Sequence, residues 1–194
     1  YTNNLVNSCA MIYQYSLQHV PSDKSNKSVL VPFKNLWLEL REDNHFYAIK
    51  PDKSKFITYF INCEYRAKIG EKCIFGDLPR DSNFAKLVYG SEHDEKTIDL
   101  LQEYAGYTLL PDTRYEKALF NIGNGGNGKS AWSNCIQKLH NKIAHVDLLN
   151  KVRFNNHQLF SASLGVTDEV PKNGIDEEYF KSIVSGGSVN FERK

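Results

Sequence analysis

The chain has 194 residues, which is enough for one sizeable hydrophobic core or two small ones. Its hydrophobic share of 41% and charged share of 24% are typical of a globular protein. The net charge of +1 excludes a strongly basic or strongly acidic chain, so the charge alone predicts no nucleic-acid partner. A ring-shaped assembly can nevertheless concentrate a few basic residues in its central channel. No apolar run is long enough to span a membrane, so no membrane partner is predicted. The four cysteines form no CxxC pair, which predicts reduced thiols in a cytoplasmic protein.

The first part of the chain is predicted to hold a helix followed by a β-rich segment. Apolar residues at helical spacing predict a helix over residues 3–20, and a polar linker completes a first unit of residues 1–28. Residues 29–75 contain four short aromatic or β-branched runs separated by polar turns. These runs predict a small β-meander with strands at residues 29–33, 36–40, 46–49 and 56–61.

Residues 76–112 predict a small helical segment. A short helix is predicted to end at Gly90. Ser91, with Asp94 three residues later, predicts the capping box of a second helix, which is predicted to end at Gly106.

Residues 113–194 are organised around a glycine-rich loop. The sequence GNGGNGKS has the GxxxxGKS spacing of phosphate-binding loops, in which successive backbone N–H groups wrap a phosphate at a helix N-terminus. Glycine adopts the positive φ values that such a loop needs, and asparagine tolerates them. An apolar run at residues 118–122 predicts the strand before the loop, and apolar residues at helical spacing predict a helix after it. The predicted nucleotide-binding residues are Gly123, Asn124, Gly125, Gly126, Asn127, Gly128, Lys129 and Ser130.

Catalysis at such a loop needs charged partners for the phosphates and the metal ion. Lys129 is predicted to act in catalysis by reaching the β- and γ-phosphates, and the Ser130 hydroxyl is predicted to bind Mg²⁺. Hydrolysis also needs an acid for Mg²⁺ at the end of a neighbouring strand and a carboxylate that orients the attacking water. Of three Asp–Glu steps, only Asp168-Glu169 follows a run typical of a buried strand, residues 159–167. We therefore assign Asp168 to Mg²⁺ and Glu169 to activation of water; the alternative is a solvated acidic turn.

The motifs resemble those of a known helicase family. GNGGNGKS, with Asn127 directly before its last glycine, resembles motif A of the superfamily-three helicases, and TDEV resembles their motif B. More specifically, residues 31–194 resemble the helicase part of phage/plasmid and poxvirus-type primase–helicases. The block from LQEYAGY to GKS is the most specific part of this resemblance.

The resemblance implies a fold, an activity and partners. The fold would be α/β, a P-loop NTPase with a modified AAA+ core at residues 113–194, preceded by a helical collar at 76–112 and the β-rich segment. The protein would form a hexameric ring, hydrolyse ATP with Mg²⁺ and act as a DNA helicase on single-stranded DNA. It would serve replication of a mobile genetic element or virus, in a bacterial host or at a viral replication site, with a primase domain as a linked partner. The segment after motif B forms a channel loop in this family, so Arg193 and Lys194 stand where DNA-contacting residues would be.

Two departures from the family pattern bear on activity. The family's sensor strand and arginine finger would lie beyond Lys194, and Ser188 stands where the family often has an acid. The chain begins at Tyr1 and ends within a predicted strand, so we expect an internal fragment whose ATPase core is truncated at its C-terminal side. Because an arginine finger contributes several orders of magnitude in rate, we expect this fragment to bind ATP and to hydrolyse it poorly.

Two other classes of function fit the same residues. The first is a P-loop ATPase or small-molecule kinase that does not act on DNA; the guanine signature Asn-Lys-x-Asp is absent, which weighs against a GTPase. The second is a nucleotide-binding assembly module without turnover. The complete set of Lys129, Ser130, Asp168 and Glu169 favours an enzyme over this second alternative.

Overall fold

A computed structural model of the chain describes residues 29–55, 57, 59–75, 79–90, 94–110, 113–148, 158–159, 162–170 and 174–187. The predicted helix over residues 3–20, Ser91, Ser188 and the predicted DNA-contacting residues Arg193 and Lys194 lie outside the described residues. Within those ranges, every helix is too short or too polar to cross a membrane.

Short strands and helices follow one another in a mixed α/β order. The strands are β1 (Leu30–Pro32), β2 (Trp37–Leu40), β3 (Phe46–Ile49), β4 (Ile143–His145) and β5 (Leu164–Val166). The helices are α1 (Asn83–Tyr89), α2 (Glu95–Thr108), α3 (Lys129–Gln137) and α4 (Glu177–Ser185), and a 3₁₀ turn lies at Lys53–Lys55.

Strands β1, β2 and β3 form the antiparallel meander that the sequence predicts, in the order β1-β2-β3. In β3, Phe46 and Ala48 are buried, whereas Tyr47 and Ile49 are half-buried. This alternation is expected for a sheet that turns one face to a core, because successive side chains of a strand point to opposite faces.

The helices confirm the predicted pattern of apolar residues but correct one cap. Helix α1 ends before Gly90, as predicted. Helix α2 begins after Asp94, whose carboxylate accepts a hydrogen bond of 2.7 Å from the backbone N–H of Thr97, and it extends two residues beyond Gly106. The prediction that Ser91 caps this helix is therefore wrong. A carboxylate is a strong N-cap, since it accepts an unsatisfied N–H and also complements the positive end of the helix dipole.

One main hydrophobic core joins the meander to α1, α2 and α3. Leu38, Phe46 and Ile61 are completely buried at its centre. Leu109, just after α2, and Leu139, just after α3, are each 1% exposed in the same core. Burial of one such side chain contributes about 1.5–3 kcal/mol. The β-rich segment, the helical segment and the helix after the loop thus share one core, and their division into domains stays a prediction.

A second, smaller core lies around the parallel pair β4 and β5. Ile143 pairs with Leu164 and His145 pairs with Val166, so the carboxyl ends of both strands lie at the same edge. Ala144 of β4 packs in this core with Tyr179 of α4. Strand β5 is shorter than the run predicted at residues 159–167.

Two predicted strands are wrong. The described residues of 56–61 form no strand, and Ile61 makes only isolated bridges. Residues 118–122 also form no strand, because none of the described residues forms a ladder with them. The backbone of Leu119 instead forms a hydrogen bond with the hydroxyl of Tyr104, a residue of α2 whose pKa is raised by burial. Phe120 is 45% exposed and Ile122 is 91% exposed, as expected for apolar residues without a neighbouring strand.

Candidate phosphate-binding site

The glycine-rich loop leads directly into helix α3. Gly126 and Gly128 both have a φ of +80°, which is strained for any residue with a Cβ atom. A Cβ at Gly123 would lie 2.5 Å from the side-chain nitrogen of Asn127, so that side chain would have to move. Neither Asn124 nor Asn127 has a positive φ, so the expectation that asparagine supplies this conformation here is wrong.

Lys129 lies across the loop and holds it together. Its ammonium group donates to the carbonyl oxygens of Gly123 at 2.8 Å and Asn124 at 2.7 Å, and to the side-chain oxygen of Asn127 at 2.6 Å. An ammonium group has three donors, and all three are used here. The loop therefore surrounds a positive charge, and the Asn127 side chain takes part in a way that the spacing of the motif does not indicate.

The N-terminus of α3 is open towards the loop. Gly128 is the N-cap residue and has no side chain to accept from the first turn of the helix, whereas its carbonyl accepts the first helical bond from Trp132. Ser130 lies in that first turn and is exposed. Uncapped N–H groups and the helix dipole make such a terminus favourable for an anion. The loop, Lys129 and the helix end thus provide donors and positive charge in one place.

Helix α3 is fixed on its other side by the main core. Trp132, Ile136 and Leu139 are all buried there. Since these residues lie one to three turns after the loop, the loop is exposed but its position is set by buried side chains. This arrangement provides rigid support for a binding loop, which otherwise would have to be ordered by its ligand.

Asp168 and Glu169 follow β5 at the carboxyl edge of the parallel pair, as predicted. Both are exposed, and the side chain of Asp168 is 75% accessible. Asp168 lies 3.6 Å from Nδ1 of His145, the last residue of β4. In the part of the chain that the structure describes, no hydrogen bond or ion pair joins either acid to Lys129 or Ser130. The structure therefore brings the loop residues together, but it does not bring the acids into contact with them.

A metal site cannot be recognised from protein ligands alone. Among the described residues, no group of three or more His, Cys, Asp or Glu side chains is arranged around a common point. The hydroxyl of Ser130 and the carboxylate of Asp168 are nevertheless oxygen ligands of the kind that Mg²⁺ prefers, and Mg²⁺ usually keeps several waters. The assignment of these two residues to Mg²⁺ stays a prediction.

Buried His140 links the main core to β5, and the sequence analysis did not identify it. Its ring nitrogens lie 3.0 Å from the hydroxyl of Ser163, directly before β5, and 3.2 Å from the hydroxyl of Thr108, at the end of α2. Burial lowers the pKa of His140 to about 4. The ring is therefore neutral near pH 7.

Comparison with known proteins gives one match. A model of a protein family of unknown function (DUF5906) matches residues 121–194, which is less than half of the chain. The match begins just before Gly123 and includes Lys129, Asp168 and Glu169. No curated protein and no solved structure matches the chain. The predicted loop and the predicted acids therefore fall within one recognised sequence unit, whose function is unknown.

Proposed function

We propose that this chain binds ATP at the glycine-rich loop and forms part of an ATP-driven DNA helicase. The observation that carries this proposal is the arrangement of Lys129, which lies within a loop of carbonyl groups at the uncapped N-terminus of α3. A polyphosphate offers oxygens with full negative charge to the ammonium group. Hydrogen bonds between charged partners are roughly twice as strong as those between neutral ones, so a phosphate can replace the carbonyl groups.

Each residue of the site has one role in this proposal. Lys129 and the backbone N–H groups of residues 123–130 hold the phosphates. Ser130 and Asp168 hold Mg²⁺, which neutralises charge that develops on the phosphate oxygens. Glu169 accepts a proton from the attacking water and orients it. Asn127 fixes Lys129 before the nucleotide binds, since its side-chain oxygen accepts from the ammonium group at 2.6 Å.

The helicase part of the proposal rests on the resemblance of the motifs. It includes a hexameric ring, movement on single-stranded DNA and contact of Arg193 and Lys194 with that DNA. Neutralising both residues should weaken DNA binding and flatten its dependence on salt, because each lost phosphate contact reduces the number of released counterions. An unchanged salt slope would remove these two residues from the DNA interface.

A nucleotide-binding assembly module without turnover is the second candidate. The observation that favours it is the exposure of Asp168 and Glu169, together with the contact of Asp168 with His145 rather than with Ser130. In this case the loop would bind ATP and no variant of the two acids would change the rate of hydrolysis.

Glu169→Gln separates the two candidates. In the helicase proposal this variant keeps ATP bound and stops hydrolysis, because the amide cannot take the proton from water. ATP binding is measured by calorimetry. ATP hydrolysis is measured with and without single-stranded DNA. Both measurements use the longest natural polypeptide that contains these residues. Lys129→Ala serves as the blank.

The rates then decide the class of function. ATP hydrolysis that is stimulated by single-stranded DNA would support a nucleic-acid motor, provided that Glu169→Gln and Lys129→Ala both lose it. Turnover indifferent to DNA would indicate another ATPase or a kinase. Normal hydrolysis by Glu169→Gln would show that the assignment of the base is wrong.

A further inference from the structure

A buried chain of polar side chains joins the end of α2, the end of α3 and the start of β5. His140, which follows α3, is 4% exposed, and its ring lies 3.2 Å from the hydroxyl of Thr108 and 3.0 Å from the hydroxyl of Ser163. Thr108 is the last residue of α2, and Ser163 directly precedes β5. We call these three side chains the buried link.

Both sides of the buried link are held by the backbone. The N–H of His140 donates to the carbonyl oxygen of Gln137 at 3.1 Å, and His140 forms an isolated bridge with the completely buried Ile61. On the other side, the carbonyl oxygen of Lys142 accepts from the N–H of Ser163 at 2.9 Å and from its hydroxyl at 3.0 Å. A buried polar network whose members have partners is rigid, so the buried link fixes where β5 begins relative to α3.

The candidate site lies at the far ends of the two elements that the buried link joins. Lys129 is the first residue of α3, and Asp168 follows the end of β5. The nine residues of α3 rise about 14 Å along its axis. The segment from Ser163 to Asp168 spans about 16 Å in an extended chain. Because these lengths are similar, the level of the acids relative to the loop depends on where β5 begins relative to α3.

The other contacts of β5 define its position less closely. Asp168 contacts His145, but His145 belongs to the neighbouring strand of the same pair, so this contact cannot fix the acids relative to the loop. Leu164 packs against the main core, and apolar packing is not directional. The hydrogen bonds of the buried link are directional, so they are the contacts that select one position for the strand.

We propose that His140 is a positioning residue of the ATPase site, which sets Asp168 and Glu169 at the level of the phosphate-binding loop. This proposal rests on the proposed function. The ring of His140 is too deeply buried to contact a nucleotide, so it acts through Ser163 and β5. The helical segment takes part as well, because the ring is held from its other side by Thr108 of α2.

Leucine and glutamine at position 140 separate filling of space from hydrogen bonding. In His140→Leu the side chain still fills the core, and each hydroxyl of the buried link keeps a carbonyl acceptor. Thr108 donates to Ala105 at 2.8 Å, and Ser163 donates to Lys142 at 3.0 Å. No buried hydroxyl is therefore left without a partner. Glutamine carries a donor and an acceptor, as a neutral imidazole does, so His140→Gln can rebuild the buried link.

The first measurement is amide hydrogen exchange of the whole chain without nucleotide. In His140→Leu, peptides covering residues 162–169 should exchange about fivefold or more faster than in wild type, because β5 is released locally, and peptides covering residues 46–49 should not change. His140→Gln should exchange like wild type. Gln102→Leu is the matched control and should also exchange like wild type, since Gln102 is a buried polar residue of α2 outside the buried link.

Two results of the exchange measurement would overturn the proposal. The first is wild-type exchange over residues 162–169 in His140→Leu. The second is an equal acceleration over residues 162–169 and 46–49, which would show a general loss of stability. Thr108→Val cuts the buried link at its far end with little change in shape, and it gives the same test if His140→Leu does not fold.

The second measurement is ATP hydrolysis with single-stranded DNA in the longest natural polypeptide, divided by the number of ATP sites counted by calorimetry. His140→Leu should lower kcat per site about tenfold and change the affinity for ATP less than about twofold, because the loop is intact and only the acids are displaced. His140→Gln should restore most of the rate. A purely structural role would reduce the number of sites and leave the rate per site unchanged.

The outcomes separate the two proposals. Hydrolysis that is lost in Glu169→Gln but unchanged per site in His140→Leu would leave the proposed function in place and overturn the positioning role of His140. ATP binding without hydrolysis by wild type would overturn the proposed ATPase and, with it, this role.

Discussion

The meander and the phosphate-binding loop are opposite kinds of structure within one chain. Leu38, Phe46 and Ala48 of the meander are completely buried, whereas Ile122 before the loop is 91% exposed. The meander is held by apolar packing and sheet hydrogen bonds. The loop is held by three hydrogen bonds from Lys129. Buried apolar packing is therefore concentrated in one region and the proposed binding residues in the other, a division that is common for binding loops.

Helix α3 connects these two regions. Its first turn faces the loop, and its last turns are buried in the main core. A change in the core should therefore affect folding and leave the chemistry of the loop intact in the folded fraction. A change in the loop should affect binding and leave folding nearly intact.

The largest effect is expected from removal of a central core side chain. Phe46→Ala should lower the free energy of unfolding by about 3–5 kcal/mol, because it removes a fully buried ring and leaves a cavity. Phe120→Ala is the same substitution near the loop, where the ring is 45% exposed, and should cost about 1 kcal/mol. Urea unfolding measures both values. Equal losses would contradict the division between the two regions.

Removal of the charge of Lys129 should weaken ATP binding and leave the free energy of unfolding nearly unchanged. Lys129→Ala should weaken ATP binding about a hundredfold, since two hydrogen bonds between charged groups, each worth about 1.5 kcal/mol, are lost. The urea midpoint should change little, because the loop buries no apolar surface. Lys138→Ala, at the other end of α3, is the control and should bind ATP like wild type. Unchanged affinity in Lys129→Ala would exclude the loop as a phosphate site.

Acidification should weaken the link that His140 makes between the main core and β5. The pKa of His140 is about 4 in the folded chain and near 6.5 in an unfolded one, so the unfolded state binds more protons between these values. Stability is therefore fully present above the unfolded pKa and decreases as the pH falls. The contribution from this residue between pH 7 and pH 5 is about 2 kcal/mol.

His140→Gln should reduce this dependence on pH, and His45→Gln, at a histidine whose side chain is 40% accessible, is the control. Urea unfolding at the two pH values measures the difference. The same slope in all three proteins would show that another group dominates the titration.

The smallest effect is expected from the conformation of single glycines. A Cβ at Gly125 or at Gly126 meets no other atom within 4 Å, but only Gly126 has a positive φ, +80°. Gly126→Ala should therefore weaken ATP binding about tenfold, since the left-handed conformation costs roughly 1–2 kcal/mol for alanine. Gly125→Ala should bind nearly like wild type in the same calorimetric titration. Equal effects would indicate that the bound loop differs from the free loop.

Local patterns in the sequence predicted most elements near their observed positions. The aromatic and β-branched run at residues 46–49 predicted β3, and the helical spacing after Lys129 predicted α3. The cap of α2 was predicted at Ser91 and lies at Asp94, because both residues are good caps and only the folded chain selects between them. This error in the cap is a shift of three residues along the chain, from 91 to 94.

The candidate site was predicted only in part. The spacing of Gly123, Gly128 and Lys129 was sufficient to identify a loop that can hold a phosphate. It did not show that Asn127 fixes the lysine, nor that Leu100 and Trp132 line a groove beside it. The first depends on the path of the loop backbone, and the second on which distant segments the fold brings close to the loop.

The sequence by itself determined the glycine-rich loop, the meander and the helices, because these depend mainly on neighbours in the chain. The tertiary structure decided whether distant segments meet. Residues 118–122 have the composition of a strand and form none, because a strand exists only where another strand supplies hydrogen bonds. His140 is neutral because folding buries it between Thr108 and Ser163, which lie more than twenty residues away on either side.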